Sequence, residues 1–347
     1  MKLLVTGGAG FIGSAFIREA ISRKFSVLNL DSLTYASSEK SLESISNNKA
    51  YSFINLDIRD KNSLYLAFTE FSPDVVIHFA AETHVDKSID SPANFIETNI
   101  IGTFNLLDCA NKYWTDAGRP STFRFLHIST DEVFGSLSSN GMFKETTKYD
   151  PSSPYSASKA SSDHLVRAWG KTFNLPVMVT NCSNNYGPFQ FPEKLIPVVL
   201  NKALAGESIP IYGNGKNIRD WLFVEDHVDA LLTVLDLGDI GRTYNIGGNS
   251  EVSNIDVATK ICRILDIYRP KSNSRYENQI SFVKDRPGHD FRYAIDSSRI
   301  RKELGWKPKY SFDEGIKKTI LWYLENERWW KDLLHKTELT ERQGTVR

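Results

Sequence analysis

Apolar residues in the first half of the chain fall in short unbroken runs separated by longer amphipathic stretches. Residues 2–6, 26–30, 51–56, 74–81 and 123–128 are such runs. Runs of this length suit strands buried on both faces, as parallel strands are. Between them lie stretches with helical period, clearest at 14–21 and at 95–113, the latter reading as one long helix. The alternation predicts a βαβαβ repeat, and so an α/β fold with a doubly wound, Rossmann-type parallel sheet. Residues 176–182 add a strand, after which 184–194 are loop-rich and the alternation fades. The division is placed near residue 180. A first domain covers 1–180, with later strands able to return to it, and a smaller C-terminal domain covers 181–330. A charged, frayed tail is expected over 331–347, preceded by Trp329 and Trp330, which should pack.

Glycines punctuate the first strand–helix junction as Gly7, Gly10 and Gly13. The first permits a tight turn, the second lets the backbone approach a pyrophosphate, and the third allows close helix packing. The second run ends in Asp31, about 20 residues beyond the glycines, where an acid accepts hydrogen bonds from both ribose hydroxyls. It would also repel a 2′-phosphate, so NAD is expected over NADP.

The fifth run leads into Ser129-Thr-Asp-Glu132, a hydroxyl and two carboxyls where a parallel strand should end. Ligands bind at that edge of an open sheet. Ser153 and Pro154 read as an N-cap and a first-turn proline, opening a helix that carries Tyr155 and Lys159 one turn apart. A phenol titrates near pH ~10, and a neighbouring ammonium favours its phenolate. That is more proton-transfer chemistry than a simple dehydrogenase needs. Residues 135–150 read as a polar loop, and Asn99 is left open between a functional and a buried, satisfied amide.

Lys and Arg together number 42, as do Asp and Glu, giving a formal net charge of +0 and no sign of a nucleic-acid or membrane surface. Cys109, Cys182 and Cys262 lack metal-ligand spacing and read as reduced, mostly buried thiols, so no metal is expected. With no room before residue 3 for a leader and no run of 18 apolar residues, a cytoplasmic protein is expected.

The glycine phrase at 6–13, Tyr155-x-x-x-Lys159 and Ser129–Glu132 together resemble the extended short-chain dehydrogenase/reductases. Within that family the chain is similar to the nucleotide-sugar 4,6-dehydratases, from residue 1 to about 325. His78-Phe-Ala-Ala-Glu-Thr-His-Val-Asp86, Asn184-Asn-Tyr-Gly-Pro188, Phe191-Pro-Glu-Lys-Leu-Ile-Pro197, Arg219-Asp-Trp-Leu222 and Asp285-Arg-Pro-Gly-His-Asp290 carry the likeness. The resemblance implies NAD contacts from Gly7, Gly10, Phe11, Ile12, Gly13, Asp31, Asp57, Ile58, Ala80, Ala81, Thr98, Tyr155, Lys159 and Asn185. It implies nucleotide-sugar contacts from Thr83, Thr130, Asn184, Lys194, Leu195, Pro210, Tyr212, Arg219, Asn254, Arg286 and His289.

The implied substrate is dTDP-glucose, and a homodimer is implied through the helices at 95–113 and 154–173. In the implied chemistry Tyr155, as phenolate, takes the C4 hydroxyl proton, Lys159 supports it and Thr130 holds the C4 oxygen. Glu132 then removes the C5 proton and Asp131 protonates the departing C6 hydroxyl. The sequence departs from the family where Phe134 replaces a frequent Tyr, where Thr83 replaces a frequent Ser, and in a shorter 135–150 loop. A 4-epimerase would give Asp131 and Glu132 no task, and a non-catalytic NAD-binding regulator would tend to lose Tyr155 or Lys159. dTDP and UDP substrates, differing by a methyl and a hydroxyl, remain alternatives.

Overall fold

The computed structural model describes residues 1–285 and 288–337. Its strands are β1 (Lys2–Thr6), β2 (Ser26–Asp31), β3 (Tyr51–Asn55), β4 (Val75–His78), β5 (Arg124–Thr130) and β6 (Val177–Cys182), followed by β7 (Asn184–Tyr186), β8 (Ile209–Tyr212), β9 (Ile218–Phe223), β10 (Thr243–Ile246), β11 (Glu251–Ser253) and β12 (Ile280–Val283). Seven of them form one parallel sheet in the order β3-β2-β1-β4-β5-β6-β10.

Alternate side chains of each central strand enter opposite layers. Leu3 and Val5 join Phe16, Ile17 and Ala20 of the Phe11–Ser22 helix and Leu231 and Leu235 of the Val224–Leu237 helix. Leu4, Val76 and Phe125 join Leu64, Phe68, Leu106 and Val166 from the helices of the other face. Each such large side chain, fully buried, contributes about 1.5–3 kcal/mol. This double cover explains the unbroken apolar runs, and the half-exposed pattern of β3 follows from its place at the edge.

The expected single helix at 95–113 is interrupted. Pro92–Phe95 is α-helical, Ile96–Gly102 is a π turn, and Thr103–Asp116 returns to α geometry. The wide turn contains Asn99, whose side chain donates to Ser158 Oγ at 2.8 Å and to the Glu82 carbonyl at 3.0 Å, and accepts from Glu82 N at 2.8 Å. Asn99 is thus a buried, satisfied amide that ties the turn to the neighbouring helix.

The C-terminal elements enclose a separate core. Tyr186, Trp221 and Phe223 from β7 and β9 pack with Ile196, Val257, Ile316 and Ile320 from three helices, Leu195–Ala205, Asn254–Tyr268 and Phe312–Glu325. Short sheets β11-β9-β7 and β12-β8 edge it. The tail does not fray at 331. The Glu327–Thr337 helix continues, with Trp330 and Leu333 buried and Trp330 Nε1 donating to the Tyr323 carbonyl at 2.9 Å. Residues 338–347 lie outside the described residues.

Candidate active site

At the end of β1 the chain turns through Gly7 at φ +72°, where a Cβ would lie 2.5 Å from Ala80 N. A Cβ on Gly13 would lie 2.3 Å from the Gly7 carbonyl, so the Phe11–Ser22 helix can approach only as glycine. Gly10 caps that helix without a side-chain hydrogen bond, which leaves the first-turn N–H groups aimed outward. A Cβ there would meet only the Gly7 carbonyl, at 3.3 Å, so the ground above the turn is open. A helix N-terminus of this kind suits a pyrophosphate.

A cavity of about 520 Å³ lies over this turn at the carboxyl ends of the strands. The turn supplies Gly7, Gly10, Phe11, Ile12 and Gly13 to its wall, and the ends of β2, β3 and β4 supply Asp31, Asp57, Ile58, Ala80 and Ala81. Thr98, Tyr155, Lys159 and Asn185 complete the cofactor positions expected from sequence. Asp31 does two things at once. Its carboxylate accepts from Ala9 N at 2.9 Å, Leu33 N at 2.8 Å and Ser37 Oγ at 2.9 Å, bracing the glycine turn and the following loop while lining the cavity.

The proton-handling groups meet at the far end of the same cavity. β5 ends at Thr130, and a single 3₁₀ turn, Asp131–Phe134, follows. Thr130 Oγ1 accepts from Glu132 N at 3.2 Å and donates to Asp131 Oδ1 at 3.4 Å, so the hydroxyl fixes the turn that aims both carboxyls. Opposite, a capping box between Ser153 and Ser156, with Pro154 in the first turn, starts the Pro154–Phe173 helix one residue before Tyr155. Tyr155 is 7% exposed, Lys159 4% and Asp131 1%.

Burial first, then the charges of Glu132 and Asp220, pushes the Asp131 carboxyl well above the usual range and so favours its protonated form. Burial raises Asp220 to about 6, against the opposing effect of the Ser250 and Gly248 N–H donors. The phenol behaves differently from the sequence expectation. Burial and then Glu132 push Tyr155 well above its ordinary value, and Lys159 donates not to the phenol but to the Ile128 carbonyl at 3.0 Å. Both influences arise from the fold, burial foremost and the Glu132 charge after it, and sequence spacing reveals neither.

A second cavity, of about 810 Å³, opens from the first. Thr83, Glu132, Asn184, Lys194 and Leu195 border both. Pro210, Tyr212, Arg219, Asn254 and His289 line its outer part, while Thr130 faces the first cavity only. Lys194 Nζ donates to the Thr83 carbonyl at 3.1 Å, and Arg219 holds the Asp290 carbonyl at 3.0 Å while stacking 4.2 Å from the Tyr293 ring centre. His289 Nδ1 lies 2.6 Å from Asp285 Oδ1. Arg286 lies outside the described residues.

Sequence reasoning missed several wall residues. Glu193, inside the Phe-Pro-Glu-Lys phrase, is 6% exposed and lies 3.6 Å from His84 and 4.0 Å from Lys87, at the border of the two cavities. Burial raises its carboxyl. Tyr293 and Trp221 also line the second cavity. Phe134 stands in an apolar cluster, stacked 5.2 Å from Phe143 and edge-on to Tyr149, which leaves no polar gap for a tyrosine hydroxyl. The 135–150 segment is a loop pinned by bridges to Arg292 and Ile295. All three cysteines are free and buried. Among the described residues no cluster could hold a metal, and no helix is long and apolar enough to cross a membrane.

A parallel sheet with its switch point over a glycine turn, and a Tyr-x-x-x-Lys helix facing that turn, give this chain the architecture of the short-chain dehydrogenase/reductase class. Within it, the chain belongs to the GDP-mannose 4,6 dehydratase family, whose model matches residues 4–319. A dTDP-glucose 4,6-dehydratase of Xanthomonas campestris pv. campestris is 54% identical over 346 residues, 99% of each chain. One from Escherichia coli strain K12 is 56% identical over 341 residues, covering 95% of this chain and 94% of its own. The structure of dTDP-glucose 4,6-dehydratase from Streptomyces venezuelae, solved with NAD bound, superposes with a TM-score of 0.88 at 42% identity, covering 96% of this chain and 100% of that one.

Proposed function

We propose that this chain is an NAD-dependent dTDP-glucose 4,6-dehydratase, which forms dTDP-4-keto-6-deoxyglucose and water. The observation that carries the reading is the single turn after β5. It places Asp131, a buried carboxyl whose surroundings favour the protonated form, beside Glu132 in a cavity shared with Tyr155 and Lys159. A neutral acid next to a second carboxyl suits a reaction that must both remove a proton and protonate a leaving hydroxyl. Full-length relatives above 50% identity bear the same name.

The glycine turn, Asp31 and the strand ends would hold NAD, with Asp31 at the adenosine ribose. Bound NAD supplies a hydride acceptor that is regenerated within the turnover, and a positive ring charge in the cavity that Tyr155 lines. Tyr155, as the phenolate that Lys159 and the ring charge would favour, takes the C4 hydroxyl proton, while Thr130 holds the C4 oxygen. Lys159 keeps a positive charge under the phenol. Once C4 is a ketone, C5–H becomes acidic enough for Glu132 to remove. Asp131 then gives its proton to the C6 hydroxyl as water leaves. Without the ketone, C5–H is far too weak an acid for a carboxylate, so the order is forced.

The second cavity suits the nucleotide diphosphate: of its lining residues, Arg219, Lys194 and His289 would serve the phosphates and Asn254 and Tyr212 the base. Exposed Ile96 and Ile101 on the 95–113 segment support a homodimer. Light scattering that returned a monomer mass would refute the dimer. The activity is tested by proton NMR of product from dTDP-glucose and UDP-glucose in separate reactions. A C6 methyl doublet from dTDP-glucose supports the reading. Inversion at C4 without a methyl signal would make the chain an epimerase, and a doublet from UDP-glucose alone would change the substrate.

A further inference from the structure

The helix that carries Tyr155 and Lys159 presents a third polar group at the same interval. Asp163 lies four residues beyond Lys159, so the three side chains share one face. Asp163 is 0% exposed, and nothing in the mechanism above uses it. Three side chains from three other elements converge on its carboxylate. His127 of β5 lies 3.1 Å from Oδ1, Tyr149 of the 135–150 loop donates to Oδ2 at 2.6 Å, and Asn181 of β6 donates to Oδ2 at 3.2 Å.

Two of these contacts lead elsewhere. The Asn181 amide also donates to the Thr130 carbonyl at 3.0 Å, so the carboxylate braces the residue from which the catalytic turn springs. Arg167 donates to the Tyr149 hydroxyl at 2.6 Å, which obliges that hydroxyl to direct its proton at Asp163. A carboxylate costs several kcal/mol to bury without compensation. Here the hydrogen bonds and the nearby cations offset burial, and the carboxyl sits below its usual range.

The charges facing this group divide simply. Burial and the Lys159 charge bring His127 down to about 4, so it is neutral, donates from Nε2, and has no hydrogen-bond partner at Nδ1. His78 of β4, its ring 5.1 Å from that of His127, is likewise neutral because it is buried. Tyr149 is uncharged, and burial pushes the Cys182 thiol of β6 up to about 12. The cations that remain are Arg167, which acts through Tyr149, and Lys159. Lys159 is itself buried, and desolvation works against its charge, with Asp163 the chief opposing influence.

We propose that Asp163 is a positioning residue for the reaction, the buried counter-charge that keeps Lys159 an ammonium and, through Asn181, fixes the strand end that carries Thr130. A purely structural staple between helix and sheet would serve stability alone. The counter-charge has a consequence that a staple lacks. Removing the negative charge but not the shape lowers the pH at which Lys159 loses its proton.

The inference rests on the dehydratase reading, and the experiment separates the two. Single-turnover formation of bound NADH from dTDP-glucose is followed across pH for wild type, Asp163→Asn and Asp163→Glu. In Asp163→Asn the alkaline limb is expected to move down by about one pH unit or more. In Asp163→Glu the limb stays near the wild-type position, even where the rate falls at every pH. A limb that does not move in Asp163→Asn, with the rate reduced evenly across pH, overturns the inference. If Asp163→Asn does not fold, Asp163→Glu decides alone, because a limb displaced with the charge retained contradicts a counter-charge role. Wild-type enzyme that forms no NADH from dTDP-glucose fails the dehydratase reading instead, whatever the variants do.

Discussion

Replacing Asp131 by Asn should slow the enzyme and stabilise the fold, two effects that share one cause. The side chain is 1% exposed, and its Oδ2 has no hydrogen-bond partner among the described residues. Burial, then Glu132 and Asp220, holds its carboxyl above the ordinary 3.8, against the opposing pull of Arg219. A carboxyl raised in the native state keeps its proton where the unfolded chain has released it. Above pH ~4 the native state therefore binds more protons than the unfolded one, and stability falls as pH rises until the native pKa is passed. The loss accrues at about 1.4 kcal/mol per pH unit across that window. Asn has the same shape and never ionises, so Asp131→Asn escapes the loss. Its melting temperature should exceed that of wild type by a margin that widens from pH 4 upward.

The same substitution removes the acidic proton. Positioned general acids contribute about 10²–10⁴-fold, which is about 2.7–5.4 kcal/mol of barrier. Single-turnover spectroscopy should show bound NADH forming at a near-normal rate and persisting. NMR of quenched samples should show C5 exchange continuing and the C6 methyl appearing slowly. A variant within a few-fold of wild type in methyl formation would remove Asp131 as the acid. A melting temperature that falls relative to wild type as pH rises would show the carboxyl to be ionised in the native state, and the electrostatic argument would fail with it.

Asp31→Ala should narrow the preference for NAD over NADP and weaken both, since Ala9 N, Leu33 N and Ser37 lose their acceptor; calorimetric titration with each dinucleotide reads this, and wild type with equal affinities would contradict it. Gly13→Ala drives a methyl against the Gly7 carbonyl, so the helix must shift at a cost of about 1–3 kcal/mol. Less NAD should then survive gel filtration, and retention equal to wild type would show the contact to be soft. Tyr155→Phe should cut NADH formation by about 10²–10⁴-fold with substrate affinity kept, whereas activity within a few-fold of wild type would release the phenol from its role.

The strands of the first half were legible because both faces of a central parallel strand are buried, and a run such as Leu3-Leu-Val5 cannot mean much else. The helix at 95–113 was legible as a helix but not as an interrupted one. A π turn leaves no mark in a 3.6-residue period, and the bonds of Asn99 to Ser158 and Glu82 that hold it open join residues far apart in the chain. The tail misled for a related reason: its charged residues hide Leu333, buried one helical turn after Trp330. At the site, motif residues announced themselves through glycine spacing and the Tyr–Lys interval. Glu193 and Asp163 did not, since one lies in an irregular loop and the other in a helix that reads equally well as surface. Sequence spacing shows Lys159 beside the phenol but not the burial and the Glu132 charge that work against a phenolate, which arise only through the fold.

The division of labour between the two carboxyls is tested most directly by Glu132→Gln in a single turnover run in heavy water. Bound NADH is read by absorbance and C5 by NMR. If Glu132 is the base for C5, the variant oxidises C4, accumulates NADH, keeps protium at C5 and forms no methyl group. Deuterium entering C5 at the wild-type rate would contradict that role, and loss of NADH formation would mean that the carboxylate supports the site's structure rather than its second proton transfer.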